Sequence, residues 1–549
     1  MPNLLSRQSM EMLSNLKGLI GSGSISIIEG QKRRMRENFG VTSIALLMSL
    51  GLASCAVGPD FVEPAAPNVG GYTPEKIGTT GEAATAGGAS QHFDSHADIS
   101  GTWWRVFKSK QIDALVAEAV ANHPDIAAAE QALRQAREIA AADGASMFLS
   151  ASGSTGVTRQ RVSLASQGAN GPGIVYPLYN VAAPLSYTPD FWGGKARAVE
   201  ADQANADYQR FQLEATYMTL TANVVTSVIN DAAIAEEIRV TKDLIQGQQK
   251  QVDLLEQQFK LGAVSEADVL SQKSQLAASL ATLPPLEKAR AQGRNQLMAY
   301  LGRFPSQDKT ESITLDSLTL PRDLPLSVPS ALVRQRPDIK SAESLVHQAG
   351  ANVGVATANM LPQLTLSASG GSQALQFNQL FNQNTGVWSI GASVATPIFD
   401  AGALFHTREA RDAAWEQAKD KYKSTVITAF QNVADALRAI QADAELLKAQ
   451  LQAEKTAADS LKISQAQFQA GAGTILNVLN AQQTLLNART SRVKAQASRY
   501  ADTVALYAAL GGGWWNRMDV TAAADVTNPG LAVVAEPAAA LANLHDDKK

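Results

Sequence analysis

The sequence predicts a mainly α fold with a small share of membrane β-structure, internally duplicated into long antiparallel helical hairpins and two pairs of strands. Three observations predict it. One motif returns at a fixed offset, each copy carries two short segments of alternating apolar and polar residues, and each copy then runs into a helical pattern longer than a bilayer is thick.

The motif reads Q-F-x-x-G, six residues, V-L, five residues, L. It occurs as Gln258-Phe259-Lys260-Leu261-Gly262, Val269-Leu270 and Leu276, and again as Gln467-Phe468-Gln469-Ala470-Gly471, Val478-Leu479 and Leu485. Both ends give an offset of 209 (471 − 262 and 485 − 276). Self-similarity at such a period means that one structural unit is present twice. Pro124-Asp125-Ile126-x-x-Ala129-Glu130 returns as Pro337-Asp338-Ile339-x-x-Ala342-Glu343, Pro189-x-Phe191 as Pro397-x-Phe399, and Leu301-Gly302 as Leu510-Gly511. The small drift in offset puts the insertions between Glu130 and Pro189. The first repeat is therefore assigned to residues 101–303, a Pro-rich connection to 304–329 and the second repeat to 330–515.

A formal charge of −4 gives no basic footprint, so nucleic acid is not an expected partner. Lys32, Arg33, Arg34 and Arg36 precede an apolar run from Val41 to Leu52 that is too short to span a membrane. Residues 1–54 read as a secretory signal peptide, and Met35 is the expected translation start. The run ends in Leu52-Ala53-Ser54-Cys55, a lipobox whose cysteine, the only one in the chain, receives a diacylglycerol. The alternative is a buried free thiol. Acyl chains at Cys55 would anchor the mature protein in a membrane at about 0.8 kcal/mol per buried methylene, and Ala56 in place of an aspartate favours the outer membrane. Residues 55–100 are rich in Gly, Pro, Ala, Thr and Ser and read as an extended, lipid-anchored tether. His92-x-x-x-His96 lies there without a third ligand nearby, which favours a solvated linker over a metal site.

From Ser109 to about Ala141 apolar residues recur at helical spacing, with a break and restart at Pro124-Asp125. Alternation follows. Met147, Leu149, Ala151, Gly153, Thr155 and Val157 share one strand face, and Val181, Ala183, Leu185 and Tyr187 one face of a second strand. The second repeat answers with Leu364, Leu366 and Ala368, then Trp388, Ile390, Ala392 and Val394, making four strands per chain. The loops, roughly 163–178 and 372–386, are rich in Gly, Asn and Gln.

After each strand pair the period changes. Val426, Val433, Ile440, Leu447, Leu461 and Phe468 share one heptad position and Phe430, Leu437, Ala444, Leu451 and Ala458 the next, broken by Glu454 and Gln465. Leu479, Leu486, Val493, Tyr500 and Tyr507 continue the seam after a turn at Gly471 to Gly473. The first repeat's helix, about Lys195 to Lys260, would span about 100 Å at 1.5 Å per residue, and the chain is expected to return from Ser265 to Leu301. Helices of that length project through an aqueous compartment. A four-stranded sheet has two open edges that lipid cannot satisfy, so several chains must pool their strands. Two chains give eight strands and a filled interior, whereas three give twelve and a lumen.

In this combination the lipobox, Val57-Gly58-Pro59-Asp60-Phe61, Trp103-Trp104-x-x-Phe107, both hairpin motifs and the closing Leu510-Gly511-Gly512-Gly513-Trp514 resemble the TolC-like outer-membrane efflux factors, in their lipoprotein (NodT-type) branch serving RND pumps. The resemblance covers about residues 55–515. It implies a homotrimer with a twelve-stranded outer-membrane β-barrel and a periplasmic α-barrel tunnel of twelve helices. Such a channel passively conducts small molecules handed over by an inner-membrane RND pump and a periplasmic adaptor (membrane fusion protein). The hairpin tips, with Gly262, Val269, Leu270, Gly471, Val478 and Leu479, fall where the adaptor docks. Leu476 and Asn480 fall where relatives place a leucine and an aspartate constriction, and Asn480 departs from that acidic ring. The localisation implied is the outer membrane, with the lipid anchor at Cys55 and the body extending into the periplasm.

No catalytic constellation is present: His123, His347 and His406 are isolated, and the glycines at 511–513 follow a helix rather than a strand. No enzyme activity, cofactor or metal is expected. A protein-secretion duct serving an ABC exporter uses the same architecture and stands as the alternative. A poreless coiled-coil lipoprotein would leave the four strands unexplained. The Ala-rich tail, 516–549, has no repeat partner and reads as poorly ordered.

Overall fold

A computed structural model describes residues 56–95, 97–163, 168 and 171–517. The signal peptide, Cys55, His96 and all but the first two residues of the tail lie outside them. In chain order the elements are β1 (His92–Asp94), α1 (Lys110–Asn122), α2 (Pro124–Ala145), β2 (Ser150–Ala151), β3 (Ser154–Val162), β4 (Ile174–Tyr187), α3 (Gly194–Lys260), α4 (Glu266–Ala281), α5 (Leu283–Tyr300), β5 (Asp323–Pro325), α6 (Pro329–Gln335), α7 (Pro337–Ala358), β6 (Gln363–Ala374), β7 (Gly386–Ala395), α8 (Ala403–Gln469) and α9 (Ile475–Ala509). The duplication shows directly in the two longest helices, which are each 67 residues long and start 209 residues apart (403 − 194). Among the described residues no helix is long and apolar enough to cross a membrane.

Two compact units result. The first contains the strand pairs, within 144–198 and 353–408, together with the described residues 56–59. Its sheet is antiparallel in the order β2/β3, β4, β6, β7. The first strand is interrupted at Ser152 and Gly153 but stays in phase: Ala151 lies opposite Leu185 and Ser154 opposite Ala182, and the Ser152 N–H donates to the Pro184 carbonyl at 3.1 Å. The four expected strands are therefore present, the first of them broken. Cross-strand register collects Leu185, Ala368 and Ile390, then Tyr187, Leu366 and Ala392, on one face. Ser186, Ser367 and Gly391, then Pro184, Ser369 and Ser389, fall on the other. Among the described residues both outer strands have a free backbone edge, and every residue of β7 is exposed, Trp388 and Ile390 at 79% and 80%.

Residues 56–59 are pinned within this unit. Val57 N–H donates to the Trp192 carbonyl at 3.0 Å and the Val57 carbonyl accepts from Arg197 Nε at 3.2 Å. Gly58 has φ +97°, and a Cβ there would meet the Gly354 Cα at 2.4 Å, so the backbones meet where no side chain fits.

The second unit is helical. Its core gathers Trp103, Phe107, Ile112, Val224, Ile229, Met298, Leu437, Ile440, Tyr500 and Leu506. Trp103 stacks on Tyr507 at 5.4 Å between ring centroids, which makes the tryptophan motif part of the core. The α8 seam is buried as its heptads predict, from Val426 through Val433 and Ile440 to Leu447. Glu454 interrupts the seam because it pairs with Arg492 of α9 at 2.6 Å.

Two expectations need amendment. The return of the first hairpin is not one helix: Pro284 and Pro285 follow Thr282, where α4 ends and α5 starts, since proline lacks the N–H that a continuous helix needs. The tether is extended but docked. β1 pairs in parallel with β5 of the inter-repeat connection, His92 opposite Asp323. Gln91 is fully buried and accepts from Arg499 Nη2 at 2.8 Å, while Phe61 stacks on His347 at 4.2 Å.

Candidate functional site

The two motifs build the same turn. At the end of α3 the Ala263 N–H reaches back to the Gln258 carbonyl at 2.8 Å and Gly262 N–H to Phe259 at 2.9 Å. At the end of α8 Ala472 reaches Gln467 at 2.9 Å and Gly471 reaches Phe468 at 3.0 Å. This six-to-one closure requires a left-handed residue, and Gly262 and Gly471 supply it with φ of +71° and +68°. Nothing lies within 4 Å of a Cβ at either position, so backbone conformation alone selects glycine. The next helices start differently. Ser265 and Asp268 form a reciprocal capping box on α4, with Asp268 N–H donating to Ser265 Oγ at 3.2 Å and Ser265 N–H to Asp268 Oδ2 at 3.0 Å. Thr474 makes no side-chain cap on α9.

Both turns share one apolar cluster. Leu255 of α3, Val269 of α4 and Ile475, Val478 and Leu479 of α9 are buried together, with Val264, Leu461 and Phe468 against them. The V-L pair thus has different fates in its two copies: Val269 and Val478 are buried in both, whereas Leu479 is buried and its counterpart Leu270 is 58% exposed. Leu261 is 84% exposed where the second copy has Ala470. Between the turns runs a groove of about 730 Å³ lined by Leu254, Gln258, Asp268, Phe468, Gln469 and Thr474.

Leu476 and Asn480 lie one turn apart on the face of α9 turned away from that cluster. Both are exposed, and the Asn480 carbonyl accepts from Thr484 Oγ1 at 2.8 Å. Behind the cluster the interior becomes polar. Gln248 of α3 and Gln272 of α4 are fully buried, and neither amide has a hydrogen-bond partner among the described residues. Heptad reading missed Leu255 and Ile475 as tip residues, although Leu255 precedes the motif by three residues and Ile475 follows the uncapped turn directly. No group of three or more His, Cys, Asp or Glu that could hold a metal occurs among the described residues.

The sequence pattern of the outer membrane efflux protein family matches residues 115–303 and 328–512. The chain belongs to this family. Among its relatives is the pyoverdine export outer membrane protein OpmQ of Pseudomonas putida, 30% identical over 417 residues that cover 75% of this chain and 88% of OpmQ. Probable outer membrane lipoprotein SilC of Salmonella typhimurium is 26% identical, covering 84% of this chain and 96% of SilC. The solved outer-membrane channel OprN superposes with a TM-score of 0.76 at 23% identity, covering 84% of this chain and all of OprN, which establishes the shared fold. The chain is thus an outer-membrane efflux channel protein.

Proposed function

We infer that three copies of this efflux channel protein close a twelve-stranded barrel, continued by a tunnel of twelve helices, and that the channel takes small molecules from an inner-membrane RND pump through a periplasmic adaptor. The observation that carries the reading is the open-edged sheet. β3 and β7 each leave a backbone edge unpaired beside an apolar face, a surface that only neighbouring strands can complete within lipid. Three four-stranded sheets pair all edges and leave a lumen, whereas two leave an interior filled by side chains.

In this reading Gly262 and Gly471 shape the adaptor-docking tips, Val269, Val478 and Leu479 hold the two tips together, and Leu270 offers apolar surface to the adaptor. Leu476 and Asn480 form the constriction, a leucine ring beside a neutral amide ring. Cys55 carries the acyl anchor, and Val57, two residues on in the sequence, donates its N–H to the Trp192 carbonyl.

The test is in-cell crosslinking from cysteines placed at Lys260 and Gln469, with mass spectrometry of the captured proteins. Capture of an adaptor together with an RND pump is expected. Capture of an ABC exporter instead would replace this reading with a protein-secretion duct.

A further inference from the structure

The two strand hairpins, residues 150–187 and 363–395, contain no Asp, Glu, Lys or His. Their only charged side chains are Arg159 and Arg161, two residues apart near the loop end of β3. Register fixes the face they occupy. Arg161 lies opposite Val175, Arg159 opposite Pro177, Val157 opposite Tyr179 and Thr155 opposite Val181. Val181, Ala183, Leu185 and Tyr187 continue that face into the apolar rows shared with β6 and β7. The guanidiniums therefore stand on the outward, apolar side of the sheet and not on the side of Ser186, Ser367 and Ser369. Both are exposed. The loop joining β3 to β4, residues 163–173, has no carboxylate that could neutralise them.

Depth along the strand follows from the aromatic residues. Tyr187 and Tyr179 lie on this face of β4, and eight residues at about 3.3 Å each span roughly 26 Å along the strand, or about 20 Å of depth at the ~40° tilt of membrane barrels, so an apolar band ~25 Å tall that starts at Tyr187 ends near the level of Pro177, opposite Arg159. Arg159 and Arg161 lie beyond Tyr179, at the end where the strands turn back and away from the end that feeds the long helices. Two cations with no counter-charge among the described residues, facing lipid at the edge of the hydrocarbon, call for an anionic partner in the headgroup layer. Phosphate suits the guanidinium fork, which can donate two parallel hydrogen bonds.

We propose that Arg159 and Arg161 form a binding site for the phosphate groups of the outer-leaflet glycolipid, one site on each protomer. The proposal rests on the outer-membrane barrel reading, since the loop end must face outward for these groups to meet. Lipid and free phosphate share the chemistry, and the outward, lipid-facing register favours the lipid.

The test titrates the full-length lipidated protein in detergent with bis-phosphorylated lipid A, reading bound lipid by native mass spectrometry. Removing the lipid phosphates is expected to weaken binding roughly tenfold, as is the double change R159Q/R161Q, while R159K/R161K keeps most of it. Millimolar inorganic phosphate is expected not to compete; full competition would overturn the lipid assignment in favour of a free-anion site. Equal binding of phosphorylated and dephosphorylated lipid A overturns the proposal on the unaltered protein, even if the double variant fails to assemble. Bilayer conductance of the same preparation separates the two readings. A conducting channel without phosphate-dependent binding overturns this site alone, whereas absence of conductance strikes the barrel reading and the site with it.

Discussion

Gln258 and Gln467 hold the same place in two copies of one turn: each carbonyl accepts the N–H five residues on, from Ala263 at 2.8 Å and Ala472 at 2.9 Å. The glycine inside each turn carries the left-handed backbone. Gly262→Ala or Gly471→Ala is expected to cost about 1 kcal/mol each through backbone strain, with no steric clash. Asparagine at either position should recover part of that loss. Thermal unfolding of the single and double variants checks it, and near-additive losses are expected for these two separate turns.

The apolar cluster between the tips separates support from contact. Leu255→Ala removes a fully buried side chain and is expected to cost about 3 kcal/mol. Leu270→Ala removes an exposed one and should change stability by less than about 0.5 kcal/mol. The same Leu270 change is expected to reduce adaptor crosslinking severalfold. Denaturant melts paired with crosslinking yield would show whether the two effects part in this way.

At the proposed constriction Asn480→Asp places a carboxylate where an exposed amide now stands. Three such carboxylates around one axis attract cations. A shift of the reversal potential toward cation selectivity is expected in planar bilayers under a salt gradient, and an unchanged reversal potential would remove Asn480 from the pore lining.

Asp502 of α9 supplies the pH dependence. Burial, followed by a hydrogen bond and the charge of Asp443 on α8, raises its carboxyl to about 7; buried Arg499 stands near Asp443. A folded value above the ordinary carboxylate value of about 4 means that the native chain holds a proton which the unfolded chain releases. The contribution is complete below pH ~4 and is lost as pH rises toward about 7, so stability falls over that window. Asp502→Asn should flatten the profile and stabilise the protein at pH 8 by on the order of 1 kcal/mol after allowing for solvent screening. Melting temperatures at pH 5 and pH 8 for both proteins decide the matter.

What was legible in the sequence was local or periodic. Alternation at Leu364, Leu366 and Ala368 marked a strand because cross-strand neighbours impose a period of two, and the steps of seven from Leu479 to Tyr507 marked a buried seam. Non-local pairing left no such mark. β1 and β5 are three residues each, too short to show a period, and they lie more than two hundred residues apart. The polar positions Gln496, Arg499 and Thr503 lie outside the apolar seam and gave no sign of burial, yet all three are buried. The tether and the inter-repeat connection cover that face: Gln91 meets Arg499 and Asp316 accepts from Gln496. At the tips the motif identified the turns, but it could not tell that Leu270 and Leu479 would differ in exposure, because that depends on which neighbour each repeat packs against.

The pairing of His92 with Asp323 also orders events during folding. A strand that leaves the ribosome near the beginning of the chain must wait for a partner from the middle of the chain, then for Arg499 of α9 to reach Gln91 and Ala89. Closing so long a loop costs only logarithmically more than closing a short one, but it cannot precede synthesis of the distant segment. The amino-terminal segment therefore rests on contacts from two later parts of the chain, the inter-repeat connection and α9, and its docking depends on both being in place.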